Sequence, residues 1–241
     1  MAMKDRPVQD TNKETYEKIY SKQEIFLRYP ADWVIRFHNM YLKENLPTGR
    51  VLDYSCGSGN NSIFFIRNGY DVHGVEVTDS ATELIKLNLE SNNLDLSYLD
   101  RFQIVDLPWD RLPFEDNFFD FILCNQVLYY LPSEEEIQRV CREFSRCLKP
   151  GGIVFFTMMG PTNYYIRFHA KQIHDGRVYE IKFDDPAHRL HGLHVMVYLV
   201  RDEDDLKSLF SEFECITTGH IDQGMFDMKS NFHWIFVGQK K

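Results

Sequence analysis

The stretch that decides the fold is Val51-Leu52-Asp53-Tyr54-Ser55-Cys56-Gly57-Ser58-Gly59-Asn60-Asn61-Ser62. It combines the end of an apolar strand, an acid, two closely spaced glycines and the start of an apolar helical run. Glycine allows positive φ and lets a ligand approach the main chain, so two glycines directly after a strand predict a bound nucleotide-like molecule. The string Gly57 to Ser62 reads G-x-G-x-x-S, which by itself also fits a dinucleotide-binding loop.

Strands and helices alternate outward from this loop. A well-marked helix follows Ser133, which forms a capping box with Glu136. Because parallel strands need crossover connections, we expect an α/β fold with a mostly parallel sheet between layers of helices. The sequence predicts strands at 51–54, 70–77, 102–105, 119–124, 153–159, 214–218 and 232–237.

The N-terminal region is predicted to differ in character from the rest. Residues 1 to about 14 are expected to form a flexible lead without a signal sequence. The amphipathic stretch from Tyr16 to Phe37 is predicted to be helical, with a break near Pro30. Tyr16 and Tyr20 either fold over a bound cofactor or pack in the ordinary way.

Composition limits the partners. The chain has 241 residues, 44% of them apolar, which suits one large domain with a substantial core. A net charge of −9 argues against a nucleic acid or an anionic membrane as partner and favours a small molecule. Five scattered cysteines indicate reduced thiols and a cytoplasmic location. The longest apolar run, Ile153 to Met159, is too short to cross a bilayer.

Three acids are predicted to lie around one crevice at the carboxyl ends of the strands, where such sheets bind ligands. Glu76 ends the second strand, 19 residues after Gly57, where a carboxylate is expected on a ribose diol. Asp106 follows the third strand, where it can accept from an exocyclic amine. Asp53 would repel a pyrophosphate but suits a cationic ligand, which disfavours a dinucleotide.

These residues resemble the class I S-adenosylmethionine-dependent methyltransferases, whose first motif is of the kind L-D-x-G-C-G-x-G. The stretch 112–120 is similar to the family's lead into its fourth strand, and Leu148-Lys149-Pro150-Gly151-Gly152 is similar to its turn before the fifth. The segments 56–62 and 68–72 are similar to tellurite-resistance-type and other small-molecule methyltransferases. The residues that match the first motif are Leu52, Asp53, Cys56, Gly57 and Gly59.

The resemblance implies a Rossmann-like, mostly parallel seven-stranded sheet with an antiparallel C-terminal strand. It implies a methyltransferase domain over residues 45–241, with a substrate-lid insertion at 160–200 after the fifth strand. Residues 1–44 would form the lead and cap helices. Ser55 stands where the family has its first glycine. A serine fits there if its backbone stays at negative φ, and we expect altered loop geometry rather than lost binding.

The resemblance also implies S-adenosylmethionine as the cofactor. Asp53 would lie near the methionine amino group and Glu76 on the ribose hydroxyls, while Val77 and Leu107 would flank the adenine. Asp106 would take the adenine amine. The implied cofactor-binding residues are Asp53, Ser55, Cys56, Gly57, Gly59, Asn60, Glu76, Val77, Asp106, Leu107, Asn125 and Gln126.

The expected reaction is in-line methyl transfer to an oxygen or nitrogen of a small-molecule acceptor. A general base is needed only if the acceptor is protonated. The run from His188 to His194 fits no zinc pattern, so no metal is expected. The alternatives are a regulatory protein that binds the cofactor without turnover, and a nicotinamide-dependent oxidoreductase. Acceptor and oligomeric state stay open. Candidate bases are His169, His174, His194 and Tyr129.

Overall fold

The strands form two sheets in the part of the chain that the computed structural model describes, residues 8–21, 26–107, 109–174, 176–187, 190–226 and 230–241. The strands are β1 (Arg50–Tyr54), β2 (Asp71–Glu76), β3 (Phe102–Ile104), β4 (Phe119–Cys124), β5 (Leu148–Met159), β6 (Ala170–His174), β7 (Val178–Lys182), β8 (His194–Tyr198), β9 (Phe213–Ile221) and β10 (His233–Lys240).

The larger sheet has seven strands in the order β3-β2-β1-β4-β5-β10-β9. The strands β1 to β5 pair in parallel, and β10 is antiparallel to both of its neighbours. The structure thus confirms a Rossmann-like, mostly parallel sheet with an antiparallel C-terminal strand. Since parallel strands point the same way, the ends of β1, β2, β4 and β5 meet at one edge, where ligands bind in such folds.

Helices cover both faces of this sheet. The residues His38–Leu42 form a π-helical turn between the second and third helices, and Leu96–Arg101 and Leu128–Tyr130 form short 3-10 segments. One apolar cluster lies on each face of the sheet. The helices are α1 (Val8–Ser21), α2 (Asp32–Phe37), α3 (Lys43–Asn45), α4 (Asn60–Arg67), α5 (Ala81–Ser91), α6 (Glu134–Cys147), α7 (Tyr164–His169) and α8 (Glu203–Leu209).

Helix α6 illustrates how the sequence specifies these layers. Ser133 accepts a hydrogen bond from the Glu136 amide at 3.2 Å, which confirms the predicted cap. Along the helix, Ile137, Val140 and Phe144 are fully buried against the sheet. Burying each such side chain stabilises the fold by about 1.5 to 3 kcal/mol.

The smaller sheet lies within the segment that follows β5. It is antiparallel, in the order β6-β7-β8. Helix α1 packs on β8, where the Asn12 side chain bonds both the amide and the carbonyl of Met196, at 2.8 and 2.9 Å. The N-terminal helix and the segment after β5 are therefore joined.

Two boundaries differ from the predicted ones. Helix α1 begins at Val8, inside the stretch expected to be a flexible lead, because Asn12 and Thr15 anchor it to β8. Strand β5 begins at Leu148, which pairs with Phe119, so the predicted turn at 148–152 is part of the strand. Among the described helices, none has the length and apolar character needed to cross a membrane.

Candidate functional site

The loop between β1 and α4 turns sharply at three positions. Gly57 and Gly59 have φ of +55° and +74°. Ser55 has φ of +56°, so its backbone does not have the negative φ that suits a serine at this position. The turn lets the next amide, of Cys56, donate to the Val75 carbonyl on β2 at 3.1 Å. A left-handed conformation costs a residue with a Cβ about 1 to 2 kcal/mol, so the surrounding contacts hold Ser55 there.

Glu76 closes the loop from the end of β2. Its carboxylate accepts from the Gly57 amide at 2.9 Å and from the Val77 amide at 2.7 Å. Burial raises the pKa of Glu76, and these two amides oppose the rise. The Thr78 hydroxyl also donates to the carboxylate, at 3.4 Å. A carboxylate has about four acceptor positions, so Glu76 retains a position for a ligand hydroxyl on the oxygen that the Gly57 amide contacts.

Asp53 lies beneath the same loop and is 2% exposed. It accepts a hydrogen bond from the Ser62 hydroxyl at 2.6 Å. Burial raises the pKa of Asp53 to about 7; the Ser62 bond opposes the rise and the charge of Glu76 adds to it. A cation beside Asp53 would favour its ionised form.

The end of β4 brings two more predicted residues to this edge. The Asn125 side-chain oxygen accepts from the Trp33 indole at 2.8 Å. The Gln126 amide donates to the Thr157 hydroxyl at 2.6 Å, with Gln126 at φ of +60°. Trp33 and Thr157 therefore hold the β4 end in place, although neither was predicted to have a role in the site.

The remaining predicted cofactor residues lie outside the cluster that Asp53, Gly57 and Glu76 form. Cys56 is buried, and Leu107 is partly buried against the core. Asn60 donates from its side chain to the Tyr29 carbonyl at 2.8 Å. The Asp106 side chain is fully exposed and lies 3.8 Å from the Lys13 ammonium. The structure thus brings Asp53, Gly57 and Glu76 together and places Asp106 on the surface.

Helix α1 crosses over the loop. The Tyr20 hydroxyl lies 2.9 Å from where a Cβ on Gly57 would be. The Tyr16 hydroxyl shares a 2.5 Å hydrogen bond with the Tyr130 hydroxyl, and Glu17 hydrogen-bonds Ser80. Burial raises the pKa of both tyrosines, and the charge of nearby Glu76 adds to the rise. Tyr20 thus lies against the loop, and Tyr16 packs on Tyr130.

The candidate bases occupy different surroundings. Tyr129 is 3% exposed, and its ring is 4.5 Å from that of Tyr130. The His169 ring packs against Phe183 at 4.5 Å. His194 lies 2.9 Å from a Glu180 oxygen on the neighbouring strand of the smaller sheet.

Two of the histidines named in the sequence analysis are not fully described by the structure. The side chain of His174 and the whole of His188 fall outside the described residues. Within the described ranges, no group of three or more side chains is arranged to hold a metal ion.

Sequence reasoning missed a buried histidine at the ligand-binding edge of the sheet. His233 is 2% exposed at the start of β10, with Nδ1 3.1 Å from the Asn231 carbonyl oxygen. Its ring lies 5.7 Å from the Tyr129 ring. A histidine at the start of a strand carries no motif, so only the antiparallel pairing of β10 with β5 could have indicated its position.

Known proteins share this sequence pattern and fold. A family model described as "Methyltransferase domain" matches residues 52–156. The chain is 28% identical over 153 residues to a ubiquinone biosynthesis O-methyltransferase of Histophilus somni. That match covers 59% of this chain and 61% of the relative, so the chain spans about three fifths of the length of that relative.

Solved structures share the fold. A SAM-dependent methyltransferase of Methanosarcina mazei has a TM-score of 0.64 at 20% identity. The match covers 83% of this chain and 97% of the Methanosarcina chain. The 1,6-didemethyltoxoflavin-N1-methyltransferase of Burkholderia thailandensis, solved with its acceptor and S-adenosylhomocysteine, has a TM-score of 0.60 at 16% identity, covering 100% and 93%. Residues 52–156 therefore match a methyltransferase domain, and the chain has the fold of SAM-dependent methyltransferases.

Proposed function

We propose that this chain transfers the methyl group of S-adenosylmethionine to an oxygen or nitrogen of a small-molecule acceptor. The observation that carries the proposal is the pair of buried carboxylates, Asp53 and Glu76, on either side of the Gly57 loop. One is suited to an ammonium group and the other to a diol, and the cofactor offers both.

The residues present fit this cofactor. Glu76 has an acceptor position left beyond its donors Gly57, Val77 and Thr78, and Asp53 ionises readily beside a cation. Gly57 adopts a positive φ and has no Cβ, which allows close approach to the loop, where the Tyr20 hydroxyl now lies. S-adenosylmethionine supplies a methyl group on a sulfonium, which is transferred by in-line displacement.

The protein's own contribution is positioning and exclusion of water. The β4 end, held by Trp33 and Thr157, limits movement beside the loop. Helix α1 covers the crevice through Tyr16 and Tyr20. Fixed geometry in a water-poor site is the main source of rate enhancement in such a displacement.

Oxygen is the better-supported acceptor atom, because the curated relatives that the chain resembles are named O-methyltransferases. The toxoflavin enzyme, an N-methyltransferase, shares the fold at lower identity. A dinucleotide is disfavoured because Asp53 lies directly below the loop that a pyrophosphate would have to approach.

Calorimetry with S-adenosylhomocysteine tests the proposal. We expect binding to the wild type, an affinity loss of at least about 10-fold in Glu76→Ala, and no change in Glu83→Gln, an exposed acid on α5. Thermal stabilisation by NADH in place of S-adenosylhomocysteine would contradict it. Labelled-cofactor screening against small-molecule extracts then measures turnover, and binding without any transfer would indicate a regulatory protein.

A further inference from the structure

His233 lies at the same sheet edge as the cofactor loop. β10 runs antiparallel to β5, and His233 pairs with Met159, the last residue of β5. Because the carboxyl end of β5 lies at the ligand-binding edge, the start of β10 does so too. Tyr129, whose ring contacts the imidazole at 5.7 Å, belongs to the segment after β4 at that edge.

One hydrogen bond fixes the tautomer of the His233 ring. Nδ1 lies 3.1 Å from the Asn231 carbonyl oxygen, which can only accept. Nδ1 therefore carries the proton, and Nε2 presents a lone pair when the ring is neutral. Burial lowers the pKa of His233 to about 4, so the ring is neutral at physiological pH.

The Nε2 lone pair has no hydrogen-bond partner among the described residues, although the atom is buried. The ring neighbour Tyr129 and the strand partners Met159 and Ile221 are all uncharged at neutral pH. A buried acceptor without a donor costs about 1 to 3 kcal/mol. A bound molecule that offers a hydroxyl proton would remove that cost.

A series of tyrosine contacts leads from His233 to helix α1, which packs on the cofactor loop. The Tyr129 hydroxyl interacts with that of Tyr130, which bonds Tyr16 at 2.5 Å. Tyr165 of α7 lies close enough to influence Tyr16 and Tyr129 electrostatically. Aromatic side chains favour stacked or edge-on contact with flat rings, so these walls suit a flat-ringed ligand.

We propose that His233 is the proton acceptor for a hydroxyl group on a flat-ringed methyl acceptor, which binds among these tyrosines with its hydroxyl on Nε2. The inference rests on the methyl transfer proposed above. As a bond forms between the acceptor oxygen and the methyl carbon, the electron pair of the carbon–sulfur bond goes to sulfur and the hydroxyl proton goes to Nε2. The imidazolium then releases that proton to water.

The first test is tautomer-resolved ¹⁵N NMR of the wild type saturated with S-adenosylhomocysteine, with catechol as probe. We expect His233 to be neutral with its proton on Nδ1, and the Nε2 resonance to shift when catechol is added. A proton on Nε2, an imidazolium at neutral pH, or an Nε2 resonance unmoved by saturating catechol would overturn the proposal.

The second test compares His233→Gln with His220→Gln, a matched change at an exposed histidine on β9. We expect both variants to bind S-adenosylhomocysteine like the wild type. With catechol and labelled S-adenosylmethionine, kcat of His233→Gln should fall by about 100-fold or more, with little change in KM, and His220→Gln should be unaffected.

The pH profile separates proton transfer from a structural role. The rate of His233→Gln should rise with pH as catechol ionises by itself, while the wild type stays level. For the same reason 4-nitrocatechol, a stronger acid, should restore most of the lost rate. An equal loss at every pH and with both acceptors would overturn the proposal, as would failure of the wild type to methylate either catechol while binding S-adenosylhomocysteine. Failure to bind S-adenosylhomocysteine would instead refute the proposed function.

Discussion

The Gly57 amide donates a hydrogen bond to the Glu76 carboxylate at 2.9 Å, across 19 residues of sequence. The bond joins the glycine loop after β1 to the end of β2. Glu76 would therefore have two roles, since the carboxylate that would bind the ribose also holds the loop in its conformation. Cofactor affinity and local stability are therefore coupled at one side chain.

Substitution of Glu76 should separate these two effects. Glu76→Ala leaves the buried Gly57 amide unpaired, which should lower the free energy of unfolding by about 1 to 3 kcal/mol. Glu76→Gln keeps one accepting oxygen, so it should unfold closer to the wild type while still binding S-adenosylhomocysteine more weakly. Denaturant titration and calorimetry on both variants provide the measurements. Equal stability of the alanine variant and the wild type would contradict the coupling.

Cofactor binding should depend on pH through Asp53. The pKa of Asp53 in the free protein is about 7, so below that pH the carboxyl is mainly protonated and cannot attract an ammonium group. The affinity for S-adenosylhomocysteine should fall as pH decreases below 7. The free energy of unfolding of the free protein should have the opposite trend. Because the pKa of Asp53 is raised on folding, protonated Asp53 contributes to stability at low pH, and this contribution is lost as pH rises through 7.

Two variants should shift the midpoint pH of this affinity change, the pH at which Asp53 is half protonated, in opposite directions. Ser62→Ala removes a hydrogen bond that lowers the Asp53 pKa, so the midpoint should rise. Glu76→Gln removes a negative charge that raises it, so the midpoint should fall. Calorimetric titrations across pH measure both, and a midpoint that stays fixed in the two variants would exclude Asp53 as the titrating group.

Two glycines with positive φ, Gly57 and Gly69, allow a test of the contact between the loop and Tyr20 of helix α1. Gly69 is the control, because a Cβ there would not contact α1. Gly57→Ala and Gly69→Ala should each cost about 1 to 2 kcal/mol of stability through backbone strain. At Gly57 the new Cβ also meets the Tyr20 hydroxyl at 2.9 Å, whereas at Gly69 it meets nothing within 4 Å. Only Gly57→Ala should therefore weaken S-adenosylhomocysteine binding. A similar loss of affinity in both variants would mean that the α1 contact has no role.

Asn12 should control how firmly α1 is held. Asn12→Ala removes bonds to the Met196 amide and carbonyl and to the Tyr130 carbonyl, and should cost at least about 2 kcal/mol. Hydrogen exchange of the α1 amides should become much faster, while the matched change Lys18→Ala, on the exposed face of α1, leaves it unchanged. Slow exchange in Asn12→Ala would show that other contacts hold the helix.

The sheet was predictable because each strand and helix has its own local pattern. The buried runs of β1, β4 and β5 and the capping box before α6 need no distant partner to be recognised. The position of Glu76 followed from the geometry of parallel strands, which fixes the distance between consecutive strand ends.

The misjudged features depend on contacts between distant segments. Ser55 adopts positive φ because the next amide reaches Val75 on another strand. Helix α1 is ordered from Val8 because its partners lie on β8. His233 lies beside Tyr129 because the C-terminal strand β10 pairs antiparallel with β5. Local propensity carries no information on such contacts.

The bonds between Asn12 and Met196 also bear on how the protein is made. They join residues 184 positions apart, so they cannot form until most of the chain has left the ribosome. Contacts of such long sequence separation form slowly, because a large loop must close first. The parallel strands are complete well before that, and the crevice gains its cover in a late step. During synthesis the half-made domain thus exposes the loop that the finished protein covers.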